Sequence, residues 1–167
     1  IRNFEAEAHL IAHLEHIHIV PLYDYWRDPT GAYLVMRYLR GGNLMTSIQE
    51  NGAWDADTVA RMITQMASAL ALAHQKEIVH QDVKPANILL DETGNAYLSD
   101  FGIALDLKSS INLAADAKGM IHGSPAYISP EQIMRERVTE KADIYSLGIV
   151  TYEALTGFYP FDRSDLD

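Results

Sequence analysis

The sequence predicts an α+β fold, and three observations carry that reading. Two runs rich in Val, Ile, Tyr and Leu, residues 19–26 and 32–38, flank Arg27-Asp28-Pro29-Thr30-Gly31 and predict an antiparallel strand pair. Two shorter apolar runs, 87–91 and 96–99, flank the polar, glycine-containing Glu92-Thr93-Gly94-Asn95 and predict a hairpin. Around these pairs lie segments whose apolar residues recur at helical spacing, above all 55–76 and 139–156.

With 167 residues, 48% apolar and 22% charged, the chain can bury one substantial core. A net charge of −10 with no Lys/Arg-rich stripe argues against a nucleic-acid partner. The absence of cysteine excludes a disulfide framework and thiolate metal sites, and it fits a reducing, cytoplasmic setting. No apolar run approaches the roughly 20 residues of a membrane span, so no membrane contact is expected of this segment, though an anchor outside this window is left open. Ile1-Arg2-Asn3 is not the start of a signal peptide, and the missing initiator Met reads as a chain cut from something longer.

The elements follow in order. Phe4, Ala8, Ile11, Ala12 and Leu14 fall at roughly helical spacing with Glu5, Glu7 and His9 between them. His9 and His13, four residues apart, could share a helix face as zinc ligands do, with His16 and His18 nearby. No HExxH glutamate and no third carboxylate at fixed spacing accompany them, so structural histidines are the better reading. After the strand pair, Gly41-Gly42 breaks the chain and Asn43 is placed to cap a short helix. Val59, Met62, Ile63, Met66, Leu70 and Ala73 form one stripe of the next helix, which Asp55 or Asp57 can cap and Lys76 can end favourably for the dipole. Thr139 can cap a last helix that runs to Thr156 and is stopped by Gly157.

The chemistry concentrates between the two halves. His80-Gln81-Asp82-Val83-Lys84-Pro85-Ala86-Asn87 precedes the predicted hairpin and Asp100-Phe101-Gly102 follows it, so Asp82, Asn87 and Asp100 should converge. Two carboxylates and an amide gathered together call for a cation, and oxygen-only ligands suit Mg²⁺. These motifs resemble the catalytic loop, metal-binding hairpin and Asp-Phe-Gly element of protein kinases. The wording of 83–90, with Gly123-Ser124-Pro125-Ala126-Tyr127, is most similar to bacterial, eukaryote-like (Hanks-type) Ser/Thr kinases.

The resemblance implies a kinase-like fold truncated at both ends: a partial small lobe and hinge over 1–39, and a partial, mostly helical large lobe over 40–167. It implies ATP and Mg²⁺ as cofactors and the Ser or Thr hydroxyls of proteins as acceptors. Asp82 would accept or orient the substrate hydroxyl proton, Lys84 would meet the charge of the transferring phosphate, and Asn87 and Asp100 would hold the metal. A carboxylate is a weak base at neutral pH, but phosphoryl transfer needs positioning more than early deprotonation. Met36 would be the gatekeeper, Leu39 part of the hinge, and Leu89 the floor under adenine. Asn43 could touch the ribose, although capping is favoured. His80 and Phe101 would pack with Ile11 and Leu22.

Glu7 would be the C-helix glutamate, whose lysine partner and the Gly-rich loop lie upstream of Ile1. Residues 103–123 would be the activation loop, with Ser109 and Ser110 as candidate phosphosites. The Ser124 hydroxyl would bond Asp82 and Lys84, Glu131 would pair with an arginine in a later helix, and Asp143 would be a buried aspartate bonded to the catalytic-loop backbone. Ser129 stands where Ala is usual, a small-for-small change. Gln81 stands where the family usually has Arg, and a neutral amide cannot gather an activation-loop phosphate electrostatically. Activity is therefore not expected to depend strongly on a phosphate read through position 81. The function implied is ATP-dependent phosphoryl transfer by the parent protein, with little activity in this piece alone. The alternative is a pseudokinase scaffold or regulatory binding module.

Overall fold

A computed structural model describes residues 12–101 and 125–161. Most of the helix expected over 4–14 and the stretch 103–123 lie outside the described residues, as do Glu7, Ser109, Ser110 and Ser124.

Strand β1 (Leu22–Asp28) pairs antiparallel with β2 (Gly31–Met36). Trp26 faces Tyr33 across the pair, and their rings stack with centroids 5.3 Å apart, the cross-strand aromatic contact that stabilises a hairpin. Both strands are shifted from the sequence expectation, for two local reasons. Asp28 Oδ1 accepts the N–H groups of Thr30 and Gly31, so the strand continues through Asp28 and only Pro29 and Thr30 bridge the turn. Ile19 and Val20 belong elsewhere: Ile19 bridges in parallel to Leu98, and Val20 N–H donates to the Leu98 carbonyl at 2.9 Å. Pro21, which has no N–H to give, marks the change of partner. Its carbonyl accepts Arg37 N–H at 3.0 Å where the chain leaves β2.

Helix α1 (Leu44–Asn51) begins at Asn43, whose Oδ1 accepts Thr46 N–H at 2.9 Å. Helix α2 (Ala56–Gln75) begins at Asp55, which accepts Thr58 N–H at 2.9 Å. Its buried stripe of Val59, Met62, Met66, Ala69, Leu70 and Ala73 is the one that the periodicity predicts, with Ile63 partly exposed. A short helix α3 (Pro130–Ile133) precedes α4 (Glu140–Thr156), which is capped by Thr139. Gly157 ends α4 in the left-handed conformation, φ +78°, with its N–H on the Glu153 carbonyl at 2.7 Å. Trp54 N–H donates to the Ala154 carbonyl at 2.7 Å, so the end of α4 is tied to the entry of α2.

Strands β3 (Ile88–Leu90) and β4 (Ala96–Leu98) form the predicted hairpin. Asp91 builds its turn: one carboxylate oxygen accepts the N–H groups of Thr93 and Asn95, each at 2.9 Å. Burial opposes the charge, but the hydrogen bonds from Asn95 and Thr93 outweigh it and hold the Asp91 carboxyl well below the usual range. Gln65 of α2 grips the same turn, donating to Asn95 Oδ1 at 3.1 Å and accepting Ala96 N–H at 2.8 Å. Leu44, Met66, Ile88, Leu98 and Val150 are fully buried in the main core between α1, α2, α4 and the hairpin. A smaller cluster of Val20, Leu39 and Tyr97, with Met36 and Leu89 against it, lies where the hairpin meets the exit of β2.

The Gly41-Gly42 break is seated on the hairpin. Gly41 N–H donates to the Leu90 carbonyl and Leu90 N–H to the Gly42 carbonyl, both at 2.9 Å. A Cβ at Gly41 would lie 2.4 Å from the Asp91 carbonyl oxygen and 2.7 Å from that of Leu90, which no side chain can occupy. Gly41→Ala is therefore expected to destabilise the fold by about 1–3 kcal/mol through overpacking. Urea unfolding checks this, and an unchanged midpoint would mean that the break does not rest on β3.

Candidate active site

The site is built upward from a carboxylate in α4. Asp143 is fully buried. Its Oδ2 accepts His80 N–H at 2.9 Å and faces His74 Nε2 at 2.8 Å, while Oδ1 accepts Gln81 N–H at 2.8 Å. Three donors on one carboxylate offset the cost of removing it from water. Residues 80 and 81, at the start of the loop, are thereby held to the helix beneath.

His80 forms the next layer. It is fully buried, its ring centroid 4.6 Å from that of Phe101. The packing role expected of it is present, but both ring nitrogens are also engaged. Nε2 faces the Ser99 carbonyl at 2.9 Å, an acceptor only, so that nitrogen carries the hydrogen. Nδ1 then accepts Asp82 N–H at 3.2 Å. Burial lowers the His80 pKa from its ordinary value, against the pull of Asp143 and of the Ser99 bond, and keeps the ring neutral.

The chemical groups sit on top. Lys84 Nζ donates to Asp82 Oδ2 at 2.7 Å. Asn87 Nδ2 donates to the same oxygen at 3.1 Å and to the Asp82 carbonyl at 2.8 Å. Both amide hydrogens being committed, Oδ1 is the end of Asn87 left for a ligand. Ser99 joins the hairpin's two sides: its N–H and its hydroxyl donate to the Asn87 carbonyl at 2.9 and 3.0 Å, and Oγ lies 3.4 Å from Asp100 Oδ2. Asp82, Lys84 and Asn87 are thus joined directly, and Asp100 follows Ser99, the residue that bonds the Asn87 backbone. An amide oxygen and a carboxylate oxygen form a hard donor set that fits Mg²⁺ completed by phosphate oxygens and water.

Backbone strain marks the same place. Among the described residues, Glu77, Gln81, Asp100 and Arg135 are the non-glycines with positive φ. Glu77 and Arg135 follow the ends of α2 and α3, an ordinary place for that conformation. Gln81 (φ +64°) and Asp100 (φ +59°) follow no helix; one precedes Asp82 and the other is the expected metal ligand. Such strain persists only where surrounding bonds over-determine it.

The residues expected around a nucleotide are also gathered. Met36, Leu39 and Leu89 meet in the smaller apolar cluster, and Asn43 bridges to Leu89 through the backbone. Asn43 Oδ1 is committed to capping α1. Leu22 and Phe101 line one small cavity with Met36 and Asp100. Glu131 sits partly buried in the first turn of α3, while Glu7, Ile11, Gly102 and Ser124 lie outside the described residues. Of the histidines weighed as zinc ligands, His9 lies outside the described residues. His16 faces Ser68 Oγ at 2.8 Å and its Nδ1 accepts His18 N–H at 3.1 Å, while His18 Nδ1 faces the Ala96 carbonyl at 3.1 Å. Among the described residues no three His, Cys, Asp or Glu side chains are grouped to hold a metal.

The sequence reading missed Gln65, His74 and Ser99, which hold the hairpin and loop in place. It also passed over the Ser129-x-x-Gln132 spacing, a capping-box signature visible in the sequence. Ser129 is not merely a tolerated small residue: it is fully buried, and its Oγ donates to Gln132 Oε1 at 3.0 Å.

The family model described as protein kinase domain matches residues 2–167. The chain is 43% identical over 162 residues to the serine/threonine-protein kinase PrkC of Bacillus subtilis, covering 97% of this chain and 24% of that protein. It is 35% identical over 161 residues to the serine/threonine-protein kinase PknL of Mycobacterium tuberculosis, covering 96% of this chain and 40% of that protein. Among solved structures, Rad53 residues 1–466 in complex with AMP-PNP superposes with a TM-score of 0.82 at 28% identity, covering 98% of this chain and 40% of that one. The chain therefore spans well under half the length of these relatives.

The neutral, buried His80 makes stability depend on pH with a definite sign. The unfolded chain takes up more protons below about pH 6.5, so stability is full above that value and is lost as pH falls below it. His16, lowered by burial and by His18, acts in the same sense, and Glu153, raised by burial, acts in the opposite sense. The urea midpoint is expected to drop between about pH 7.5 and 5.5, and to drop less in His80→Gln, whose amide takes up no proton. Equal slopes in the two proteins would remove His80 as the source.

Proposed function

The chain belongs to the protein kinase domain family, and on that premise we propose that the protein containing it transfers the terminal phosphoryl group of ATP to Ser or Thr hydroxyls of protein substrates. The observation that carries this reading is the joining of Asp82, Lys84 and Asn87 by direct hydrogen bonds, with Asp100 next in the chain to Ser99, whose hydroxyl bonds the Asn87 carbonyl. On this reading residues 1–39 belong to the small lobe and hinge and 40–167 to the large lobe. A cytoplasmic setting, where ATP is available, is part of the proposal. Among the described residues no helix is long and apolar enough to cross a membrane.

Met36, Leu39 and Leu89 would form the apolar seat for adenine, and any ribose contact from Asn43 would use its amide nitrogen, since the oxygen caps α1. Asn87 Oδ1 and the Asp100 carboxylate would hold Mg²⁺, which when bound neutralises charge on the phosphates. Lys84 and Asn87 occupy Asp82 Oδ2, which leaves Oδ1 to accept the proton of the acceptor hydroxyl. As the new O–P bond forms and the bond to the ADP oxygen breaks, that proton passes to Asp82, and Lys84 stands by to offset the charge of the group in transit. The Ser/Thr preference is supported by Lys84 and by the names of the relatives. The expected hydroxyl of Ser124 belongs to the same proposal.

Two substitutions in the full-length protein test it. Asp82→Ala is expected to lower phosphate transfer at least about hundredfold with nucleotide affinity little changed. Asp100→Ala is expected to weaken Mg²⁺-dependent ATP binding as well. Transfer of labelled phosphate to a generic acceptor and direct nucleotide titration separate the two, and unimpaired transfer in either variant would overturn the assignment.

A further inference from the structure

The peptide in front of Asp82 is gripped from a direction that the proposed reaction does not require. Gln132 Oε1 accepts the backbone N–H of Ser129 at 3.1 Å and its hydroxyl at 3.0 Å. That fixes the other end of the amide as the donor. Gln132 Nε2 donates to the backbone carbonyl of Gln81 at 3.0 Å, across 51 residues of sequence. This carbonyl belongs to the peptide joining Gln81 to Asp82. The N–H of the same peptide donates to His80 Nδ1 at 3.2 Å, so the plane from which the Asp82 side chain departs is held at both ends. Gln81 itself is in the left-handed region, φ +64°, a conformation that a side-chain-bearing residue leaves unless it is held. Asp143 holds its N–H, and Gln132 holds its carbonyl.

We propose that Gln132 is a positioning residue that latches the catalytic loop to the start of α3 and so sets the aim of Asp82. This rests on reading Asp82 as the group that orients the acceptor hydroxyl. The latch needs an acceptor for Ser129 and a donor for Gln81 in one planar group, which an amide supplies. A carboxylate of the same shape would turn an anion toward the Gln81 carbonyl oxygen. The bond is made to the backbone of residue 81, so the latch works whatever side chain stands there, and a neutral Gln at that position does not weaken it.

The test uses Gln132→Glu in the full-length protein, with ATP and an acceptor peptide. At about pH 7.5 kcat is expected to fall about tenfold, while KM for ATP stays within about twofold, since Met36, Leu39 and Leu89 are untouched. Gln132→Met, which keeps the length of the side chain and removes both the donor and the acceptor without adding charge, is expected to lose kcat in the same way with KM for ATP again within about twofold. Amide hydrogen exchange over residues 80–83 reads the latch without any activity and is expected to be faster in both variants. Unchanged exchange, or an unchanged kcat in either variant, overturns the proposal. Faster exchange in a variant whose parent transfers no phosphate supports the latch and overturns the kinase reading instead.

Discussion

Everything at this site depends on the Asp143 carboxylate being satisfied where water cannot reach it. A buried anion is tolerated only when donors converge on it, and here two come from the backbone of residues 80 and 81 and one from His74. The requirement runs in both directions. The loop gains two fixed N–H groups, and α4 can keep a charge in a core that also contains Ala142 and Val150. Because His74 lies at the end of α2, the same carboxylate joins both long helices to the loop. Rigid elements thereby position a segment that has almost no regular structure of its own.

That order of dependence continues outward. His80 uses Ser99 and Asp82 N–H to connect the loop to the hairpin, and Gln65 and Asp91 fix the far end of the hairpin. The strained residues Gln81 and Asp100 lie where these attachments are densest. Strain of this kind costs of order 1–3 kcal/mol per residue, and at Gln81 it persists because the peptides on both sides are hydrogen-bonded. The small apolar cluster of Val20, Leu39 and Tyr97 is separate from the main core, so on the proposed reading the adenine seat and the phosphate-facing groups rest on different packing.

Much of this was legible in the sequence, and the reason differs by element. Helix α2 shows its stripe and its Asp55 cap because a long helix repeats its signal over many turns. Gly157 marks the end of α4 because few residues other than glycine accept a φ of +78° easily. Asp82, Asn87 and Asp100 are legible because the proposed chemistry calls for those side chains. The bounds of β1 were not, since Asp28 has the composition of a turn while still occupying the strand, and the change of partner at Pro21 depends on β4, nearly 80 residues away. Gln132 was signalled by its capping-box spacing from Ser129, but Gln65, His74 and Ser99 were missed for a common reason. They act largely on backbone groups or on one distant atom, and such bonds leave no periodic trace in the chain.

The distribution of counter-charge shows why the proposed metal belongs at one end of the site. Asp143 has its donors, and Asp82 has an ammonium at 2.7 Å and an amide at 3.1 Å on the same oxygen. Among the described residues, the contact recorded for the Asp100 carboxylate is the Ser99 hydroxyl at 3.4 Å, a hydroxyl that already donates to Asn87. Of the three carboxylates, Asp100 is therefore the one whose charge the described surroundings compensate least. Its chain neighbour Ser99 bonds the backbone of Asn87, whose side-chain oxygen is the uncommitted end. A divalent cation would satisfy both with one ion, and would leave Asp82, already balanced by Lys84, to act on a proton rather than on a metal.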